Sequence, residues 1–569
     1  NSRTTWTRIE GAGSLNVNAP AGNIDVDYNG TYWQYHPSEL DLSGLASFTA
    51  NVAQLRLGPS NPYASISPYA TLRLSPDSSI TADAVVVSGG QHNYGYLYLN
   101  EDTTIHTDTI SVAQGGYRRG YIYFASGLTD PALEIRGKVG GSSRADLLIA
   151  DGASGKGTMA TVDFTGGAVD ALLGHVAIAV TDGGTQGWEV DADATLTLAD
   201  GVIDANTVVI GQAVPTTNNG RSANGTLNIN GGTFRAGTLT LGDFQAGAGA
   251  VGSYGVRATV NLAGGTLQVG TLRGGDEAGA TPTRTFNWSA GTIQNAADAD
   301  ATITDEVPLV LKTAGAHSFN ADADRTITVE SVVKDDTGAA GLTKLGDGTL
   351  RLNAANTYRG GTAINDGTLL VGHANALGTT GAIAVATGAT LAVAPGVTFA
   401  QHSRVAWAAG ATLGGGGVYA TGGAWTVPGG VSLSPGLSID TLTLDAGGAP
   451  VVLGPTSTLR MDLADDPDSD LLRVLGSLDL GGATLSLHGT ALLGHWYTLV
   501  EATSLVGEFG AVDISGLSNP DIAGYDTRQG GGLYEEVLTG AQPAAEIPEP
   551  ASAALLALGA LGAAWRRGE

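Results

Sequence analysis

The chain has 569 residues and contains no cysteine, which excludes disulfides and cysteine-based catalysis. Its formal net charge of −27 argues against binding to nucleic acid or to an anionic membrane surface, so we expect no nucleic-acid partner. The 86 glycines and the low share of charged residues, 14%, favour short strands separated by many turns. The chain begins at Asn1, and we expect a processed or truncated form whose signal peptide has been removed.

An aromatic segment lies near the start of the chain. Its aromatic and imidazole side chains are Tyr28, Tyr32, Trp33, Tyr35 and His36. We interpret residues 1–60 as an amino-terminal cap with the first coils of a repetitive fold, because such a fold must cover its first open layer. The alternative is a surface on which aromatic faces stack on sugar rings. Further on, Tyr117, Arg118 and Arg119 are predicted to form a basic turn, with a pocket for an acidic sugar as the alternative.

Internal repetition dominates residues 61–340. Each copy combines an alternating polar and apolar segment, a glycine turn and the start of a second strand, and the copies occupy residues 161–169, 195–203, 226–234, 259–267 and 285–293. Period-2 alternation places Val162 and Phe164, or Leu227 and Ile229, on one face, with Thr and Asn on the other. Because the spacing of the copies varies, they favour a β-solenoid over a propeller, and open sandwich arrays are the alternative.

Acidic residues recur in front of Thr-rich strands. The motif Asp-x-Asp-x-Thr begins at Asp191, Asp298 and Asp322. We predict that these aspartates supply turn geometry and local hydrogen bonds. The alternative is calcium bound between coils, since hard cations take several oxygen ligands. No metal and no other cofactor is predicted.

Residues 341–372 carry a distinctive series of motifs. They contain Leu-x-Lys-x-Gly-x-Gly-Thr-Leu, then Asn-Thr-Tyr-x-Gly, then Gly-Thr-Leu-x-Val. In this order they resemble the autotransporter-associated β-strand repeat. The resemblance implies the right-handed parallel β-helix of passenger regions, and residues 373–540 resemble the passenger segments that accompany such repeats.

Within this repeat, alternation assigns individual roles. Leu350 and Leu352 are predicted to face inward, as are Leu369 and Val371. We expect Asn356 to bond backbone groups inside a turn. Tyr358, in the same motif as Asn356, is expected to shield an edge of the sheet.

The densest acidic cluster is Asp465-Asp466-Pro467-Asp468-Ser469-Asp470, which is predicted to be a solvated turn, with a weak calcium loop as the alternative. The nine histidines lack metal-ligand spacing, and no Gly-x-Ser-x-Gly elbow occurs. We therefore predict that the protein is not an enzyme and has no catalytic residues.

The end of the chain has a linker and an apolar tail. Residues 541–550 form the linker and contain Pro548-Glu549-Pro550, a rigid element that can present an extended backbone to an enzyme. Residues 551–569 begin with an uncharged Ala/Leu-rich run of about 22 Å as a helix, short of the ~30 Å hydrocarbon core. We predict a short C-terminal apolar helix that anchors the chain only temporarily.

Arg566 and Arg567 follow the apolar run, and we expect them to hold the end of the chain on the cytoplasmic side of a membrane. The order of motif, run and arginines resembles the PEP-CTERM sorting signal of Gram-negative bacteria, which an exosortase recognises and removes in that family. The resemblance implies export, an exosortase-type partner and transient association with the inner membrane.

Taken as a whole, the sequence predicts an all-β protein, a right-handed parallel β-helix (β-solenoid) with a short C-terminal apolar helix. We expect a secreted, non-enzymatic structural or adhesive protein of the cell surface or extracellular matrix, associated with exopolysaccharide as in a biofilm. Weak contacts repeated along a solenoid would add through avidity. The alternative is a polysaccharide-active β-helix enzyme, a lyase or hydrolase.

Overall fold

The computed structural model describes residues 5–27, 37–58, 69–89, 93–115, 118–152, 157–181, 190–214, 221–245, 254–278, 281–312, 315–464, 468–491, 496–518, 522–528 and 533–539. The chain forms two compact units. The first comprises Asn1–Ser318 and Glu330–Gly338, and the second comprises Phe319–Val329 and Ala339–Glu569. The division of the sequence into six segments, 1–60, 61–340, 341–372, 373–540, 541–550 and 551–569, remains a prediction.

The first unit is a stack of parallel strands of 3 to 24 residues. They are β1 Thr5–Glu10, β2 Ser14–Val26, β3 Ser38–Gly44, β4 Ser47–Leu57, β5 Tyr69–Arg73, β6 Asp77–Val87, β7 Tyr94–Leu99, β8 Asp102–Val112, β9 Arg119–Phe124, β10 Ala132–Arg136, β11 Ala145–Ile149, β12 Thr158–Thr181, β13 Val190–Ala213, β14 Arg221–Ile229, β15 Thr233–Phe244, β16 Tyr254–Leu262, β17 Thr266–Gly274, β18 Thr283–Trp288, β19 Gly291–Asn295, β20 Ala301–Ile303, β21 Leu309–Leu311 and β22 His317–Asn320, the last of which ends in the second unit.

The sequence repeats of the first unit stack in register. Parallel pairing joins five equivalent threonines of β12, β13, β14, β16 and β18, namely Thr161, Thr195, Thr226, Thr259 and Thr285. Val162, Phe164, Leu227 and Ile229 lie inside and are at most 1% exposed, as the alternation predicts. Each repeat is therefore one coil of a parallel β-solenoid, and this part of the predicted fold is confirmed.

A glycine at the turn of each coil permits this close stacking. Gly232, between β14 and β15, has a φ of +64°, in the left-handed region that favours glycine. A Cβ atom there would lie 2.6 Å from the carbonyl oxygen of Gly201, the equivalent glycine one coil earlier. A side chain at this position would push neighbouring coils apart.

One further strand of the first unit is β24, Val333–Asp335. The second unit is also built from stacked parallel strands, most of them shorter than those of the first unit. Its strands are β23 Thr326–Val329, β25 Leu342–Leu345, β26 Thr349–Leu352, β27 Thr362–Ile364, β28 Thr368–Val371, β29 Ile383–Val385, β30 Thr390–Val393, β31 Thr398–Phe399, β32 Val405–Trp407, β33 Thr412–Gly415, β34 Val418–Ala420, β35 Trp425–Thr426, β36 Ser432–Pro435, β37 Thr441–Asp445, β38 Val451–Val452, β39 Thr458–Leu463, β40 Leu471–Asp479, β41 Thr484–Gly489, β42 Trp496–Val506, β43 Ala511–Leu517, β44 Ile522–Arg528 and β45 Leu533–Thr539.

A column of leucines forms the centre of the second unit. Successive coils place a leucine at one register position, giving the stack Leu350, Leu369, Leu391, Leu413, Leu433, Leu459 and Leu485. Each of these side chains is at most 1% exposed. Burial of one leucine contributes roughly 1.5–3 kcal/mol relative to exposure, so the column is a main source of stability. The inward positions predicted at Leu352 and Val371 are confirmed.

Polar residues of the repeat at 341–372 are also buried. Asn356 donates through Nδ2 to the carbonyl oxygen of Ala376 at 2.6 Å, which confirms its predicted backbone bond. Tyr358 is fully buried, and its hydroxyl lies 2.6 Å from Oγ1 of Thr362. The expectation that Tyr358 shields an edge of the sheet stays a prediction.

The second unit ends in antiparallel strands. β45 pairs antiparallel with both β42 and β44. The described residues contain one short 3-10 helix, His402–Arg404, and no helix among them is long and apolar enough to cross a membrane. The predicted C-terminal apolar helix lies outside the described residues and stays a prediction.

Candidate functional site

Tyrosines cluster on the outward side of three strands of the first unit, β5, β7 and β9, which are neighbours in the stack. Alternation along β5, β7 and β9 turns residues such as Leu97 and Ile122 inward, where each is at most 3% exposed. The residues between them point outward. We define the tyrosine patch as Tyr69, Tyr94, Tyr96, Tyr98, Tyr121 and Tyr123.

The rings of the patch stack on one another from strand to strand. Tyr69 and Tyr94 have centroids 4.6 Å apart, and Tyr96 and Tyr121 have centroids 4.8 Å apart with planes 13° from parallel. These distances match the ~4.8 Å separation of neighbouring strands, so the register itself aligns the rings. Each such contact contributes about 0.5–1.5 kcal/mol beyond area burial.

The stack of rings ends at β9. Thr161 and Asp163 of β12 pair with Tyr121 and Tyr123. Because Tyr121 already stacks on Tyr96 through one face, its other face is turned toward these shorter side chains. The patch therefore ends in a step with ring faces on one side and small polar side chains on the other.

Two arginines lie over the rings of the patch. Cζ of Arg73 is 4.2 Å from the ring centroid of Tyr98, and Cζ of Arg119 is 5.1 Å from that of Tyr94. Cation–π contacts of this kind contribute about 0.5–1 kcal/mol at exposed sites. Burial raises the pKa of Tyr96 to about 12, with the neighbouring tyrosines adding to the shift, so its phenol is uncharged at neutral pH.

A groove of about 660 Å³ lies beside the patch. Arg73, Tyr98, Tyr123 and Asp163 contribute to its walls. Arg73 donates to Oε1 of Glu39 at 2.8 Å, and Oδ1 of Asp163 accepts from the backbone N–H of Thr165 at 3.0 Å. The groove thus joins an aromatic wall to groups that donate and accept hydrogen bonds, a combination suited to a polyhydroxylated ligand.

Several residues singled out in the sequence, including the whole sorting motif, lie outside the described residues. These are the aromatic segment from Tyr28 to His36, Tyr117, and the motif Pro548-Glu549-Pro550 with Arg566 and Arg567. The assignment of Arg119 to a basic turn is wrong, because it lies in β9 and contacts the tyrosine patch.

The acidic cluster also differs from the prediction where it is described. Asp470 is fully buried and accepts hydrogen bonds from the backbone N–H groups of Asp440 and Asp462. The prediction of a solvated turn is therefore wrong for Asp470. Its carboxylate links three places in the fold, because Asp440 directly precedes β37, Asp462 lies in β39 and Asp470 directly precedes β40. Burial raises the pKa of Asp470 to about 7, and the charges of Asp440 and Asp462 add to the shift.

The Asp-x-Asp-x-Thr motifs do not share one role. Asp298 and Asp324 adopt positive φ in turns, as predicted. Asp191 and Asp193 instead lie within β13, where they accept hydrogen bonds from the adjacent strand. Among the described residues, no group of three or more His, Asp or Glu side chains is arranged to hold a metal ion.

The tyrosine patch was not predicted from the sequence, although the sequence contains a signal for it. Residues 94–99 read Tyr-Gly-Tyr-Leu-Tyr-Leu and residues 119–124 read Arg-Gly-Tyr-Ile-Tyr-Phe. The shared alternation of tyrosine with an aliphatic residue marks two strands of equal register. Aligning these segments would have placed the rings side by side.

Fold and site together define a parallel β-solenoid with an outward aromatic surface. Comparison with family models adds two local matches. The passenger-associated-transport-repeat model matches residues 342–371, and the PEP-CTERM protein-sorting motif matches residues 546–568. The chain therefore carries both elements recognised in its sequence. Comparison with curated proteins gives no match.

The sorting motif defines how the chain is handled. It is the recognition signal for processing by exosortase, and it implies export to the envelope or surface of a Gram-negative bacterium. The exported portion includes a β-solenoid with the passenger-type repeat.

Proposed function

We propose that this protein is a non-enzymatic, adhesive structural component of the cell surface or extracellular matrix that binds exopolysaccharide through the tyrosine patch. The observation that carries the proposal is the step at Tyr121 and Tyr123 beside the groove. Aromatic faces bind the C–H faces of sugars, while nearby polar groups bond their hydroxyls. Transient inner-membrane anchoring through the tail precedes release.

The chemistry of the groove favours binding over turnover. Glycoside hydrolysis by the usual route needs two carboxylates flanking the scissile bond. Among the described residues that line the groove, Asp163 is the one carboxylic acid, and its Oδ1 is engaged by Thr165. The polysaccharide-active enzyme is the other candidate, and it would have to use Asp163 with a partner from elsewhere.

The first experiment measures binding to immobilised polysaccharides. We expect Tyr121→Ala/Tyr123→Ala to weaken binding by at least about tenfold, because loss of both ring faces removes contacts of the size found in binding hot spots. Tyr121→Phe/Tyr123→Phe is the matched control, since it keeps the rings and removes only the hydroxyls. Equal binding by the wild type and the alanine variant would contradict the proposal.

A second experiment addresses the enzyme alternative. Reducing-end release is measured on acidic and neutral polysaccharides with the wild type and with Asp163→Asn. We expect no turnover by either protein. Turnover by the wild type that the Asp163→Asn variant lacks would replace the binding function with catalysis.

A further inference from the structure

A second outward surface continues the face that carries the tyrosine patch. Alternation along β13, β14, β16 and β18 turns two columns of uncharged polar side chains outward. We call them the Thr–Asn ladder: Thr195, Thr226, Thr259 and Thr285 in one column, and Thr197, Asn228, Asn261 and Asn287 in the other. Thr197 is buried, with 7% of its surface exposed, and the other seven side chains are half-buried.

Register connects this ladder to the tyrosine patch. Tyr123 pairs with Asp163, and Asp163 pairs with Thr197, the first member of the second column. Asp163 also lines the groove. Strand register therefore places the ladder next to the groove and to the rings at β9, with the buried Thr197 at the junction.

Hydrogen bonds fix the amides of the ladder in one orientation. Nδ2 of Asn261 donates to Oδ1 of Asn228 at 2.8 Å, and Nδ2 of Asn287 donates to Oδ1 of Asn261 at 2.8 Å. An amide has two N–H donors and an oxygen with two lone pairs. Nδ2 of Asn228 also donates to Oγ1 of Thr197 at 3.2 Å. Each such bond uses one donor and one acceptor site, so the amides keep further hydrogen-bonding capacity in a row with fixed orientation.

The ladder is also distinct in charge. The chain carries a net charge of −27, yet none of the eight ladder residues is ionisable. Asp193 and Arg257 flank it in a third column. By contrast, strands β8, β10 and β12 are joined by ion pairs such as Arg136 with Asp170 at 2.7 Å.

We propose that the Thr–Asn ladder binds an extended, neutral polysaccharide that lies along the stack of strands and reaches the groove beside Tyr123. This proposal rests on the proposed function and names its ligand class. Hydroxyl and amide groups repeat at the ~4.8 Å spacing of parallel strands, so successive sugars meet successive rungs. An uncharged row gives no compensation for burying a carboxylate, which disfavours acidic glycans.

The test uses the full chain and a series of neutral β-glucan oligosaccharides of increasing length, with alginate as the acidic probe. Affinity is measured by isothermal titration. We expect affinity to rise with chain length by at least about tenfold between a disaccharide and a chain long enough to cover the ladder, because added contacts act within one complex.

The key variant is Thr226→Val/Thr259→Val, which removes two hydroxyls and keeps the β-branched shape that strands favour. We expect it to lose about fivefold or more in affinity for the long glucan and nothing for the disaccharide. The matched control is Thr238→Val/Thr271→Val, two paired, half-buried threonines of β15 and β17 in the same coils. Circular dichroism and the unfolding midpoint verify that both variants fold.

The outcomes separate this inference from the proposed function. Unchanged affinity of Thr226→Val/Thr259→Val for the long glucan, or tighter binding of alginate than of glucan, overturns the ladder proposal. If Tyr121→Ala/Tyr123→Ala still loses binding in that case, the proposed function stands. Absence of binding to every polysaccharide overturns both.

Discussion

At the scale of single residues, one buried aspartate, Asp470, makes the stability of the protein depend on pH. Asp470 is fully buried among backbone N–H donors and next to the carboxylates of Asp440 and Asp462, and burial raises its pKa to about 7. An unfolded aspartate has a pKa of about 3.9. The folded state therefore holds more protons than the unfolded state between these two values, and its stability falls as pH rises through this window.

We expect the unfolding free energy of the second unit to fall by about 4 kcal/mol between pH 4 and pH 8 through this group alone. Asp470→Asn removes the titration, so the fall should be smaller by that amount in the variant. Asp468→Asn, at an exposed aspartate two residues away, is the control. Denaturant unfolding at a series of pH values measures the difference, and parallel curves for wild type and Asp470→Asn would refute it.

The sequence alone could not have identified Asp470 as buried. Its neighbours Asp468 and Ser469 are polar, and local composition indicates a solvated turn. The carboxylate accepts from Asp440, directly before β37 and 30 residues away, and from Asp462, near the end of β39 and eight residues away. This environment depends on how the coils pack and is not visible in the local composition. By contrast, Leu350 and Leu352 were predictable, because alternation within one strand determines which side chains face inward.

At the level of elements, the passenger-type repeat is held by a buried cation. Nζ of Lys344 in β25 donates to the carbonyl oxygens of Leu345, Gly346 and Asp366 at 3.0, 2.6 and 3.2 Å. The side chain is 1% exposed, and burial lowers the pKa of its ammonium group to about 8. Lys344 thus satisfies three carbonyl groups at a corner of the coil, which gives the lysine of the motif a structural role.

Lys344→Met should lower the unfolding free energy of the second unit by about 2–4 kcal/mol, because three buried carbonyl groups lose their donor. Methionine retains the length of the side chain, so the loss reports hydrogen bonding more than a cavity. Arg351→Met, at an exposed cation of the same repeat, should change stability by less than about 0.5 kcal/mol. Chemical denaturation compares the two variants, and equal effects would argue against this role.

Elements were the scale at which the sequence was most informative. The repeats beginning at Thr161, Thr195, Thr226 and Thr259 coincide with the observed register, because one alternating pattern specifies strand, face and pairing together. The tyrosine patch was missed because it depends on three segments of the chain being adjacent, those of β5, β7 and β9. Adjacency follows from coil length, and loops change that length from one coil to the next.

At the scale of the whole molecule, the sorting tail serves delivery, and we expect it to be removed before the solenoid functions. Mass spectrometry of protein from the native envelope should detect chains that lack residues 551–569. Replacing Pro548, Glu549 and Pro550 together by alanine should leave the tail attached, because the recognition motif for exosortase is lost. Pro543→Ala in the same linker is the control. Native protein that retains residues 551–569 would contradict processing.

Parallel register also has a consequence for how the chain folds. Contacts between coils join residues close in sequence, for example Asp191 with Ser222 and Asn228 with Asn261, which are 31 and 33 residues apart. A coil can therefore form as soon as the next few tens of residues are available, without waiting for the end of the chain. A coil that has formed can therefore serve as a template for its neighbour, and folding can proceed coil by coil.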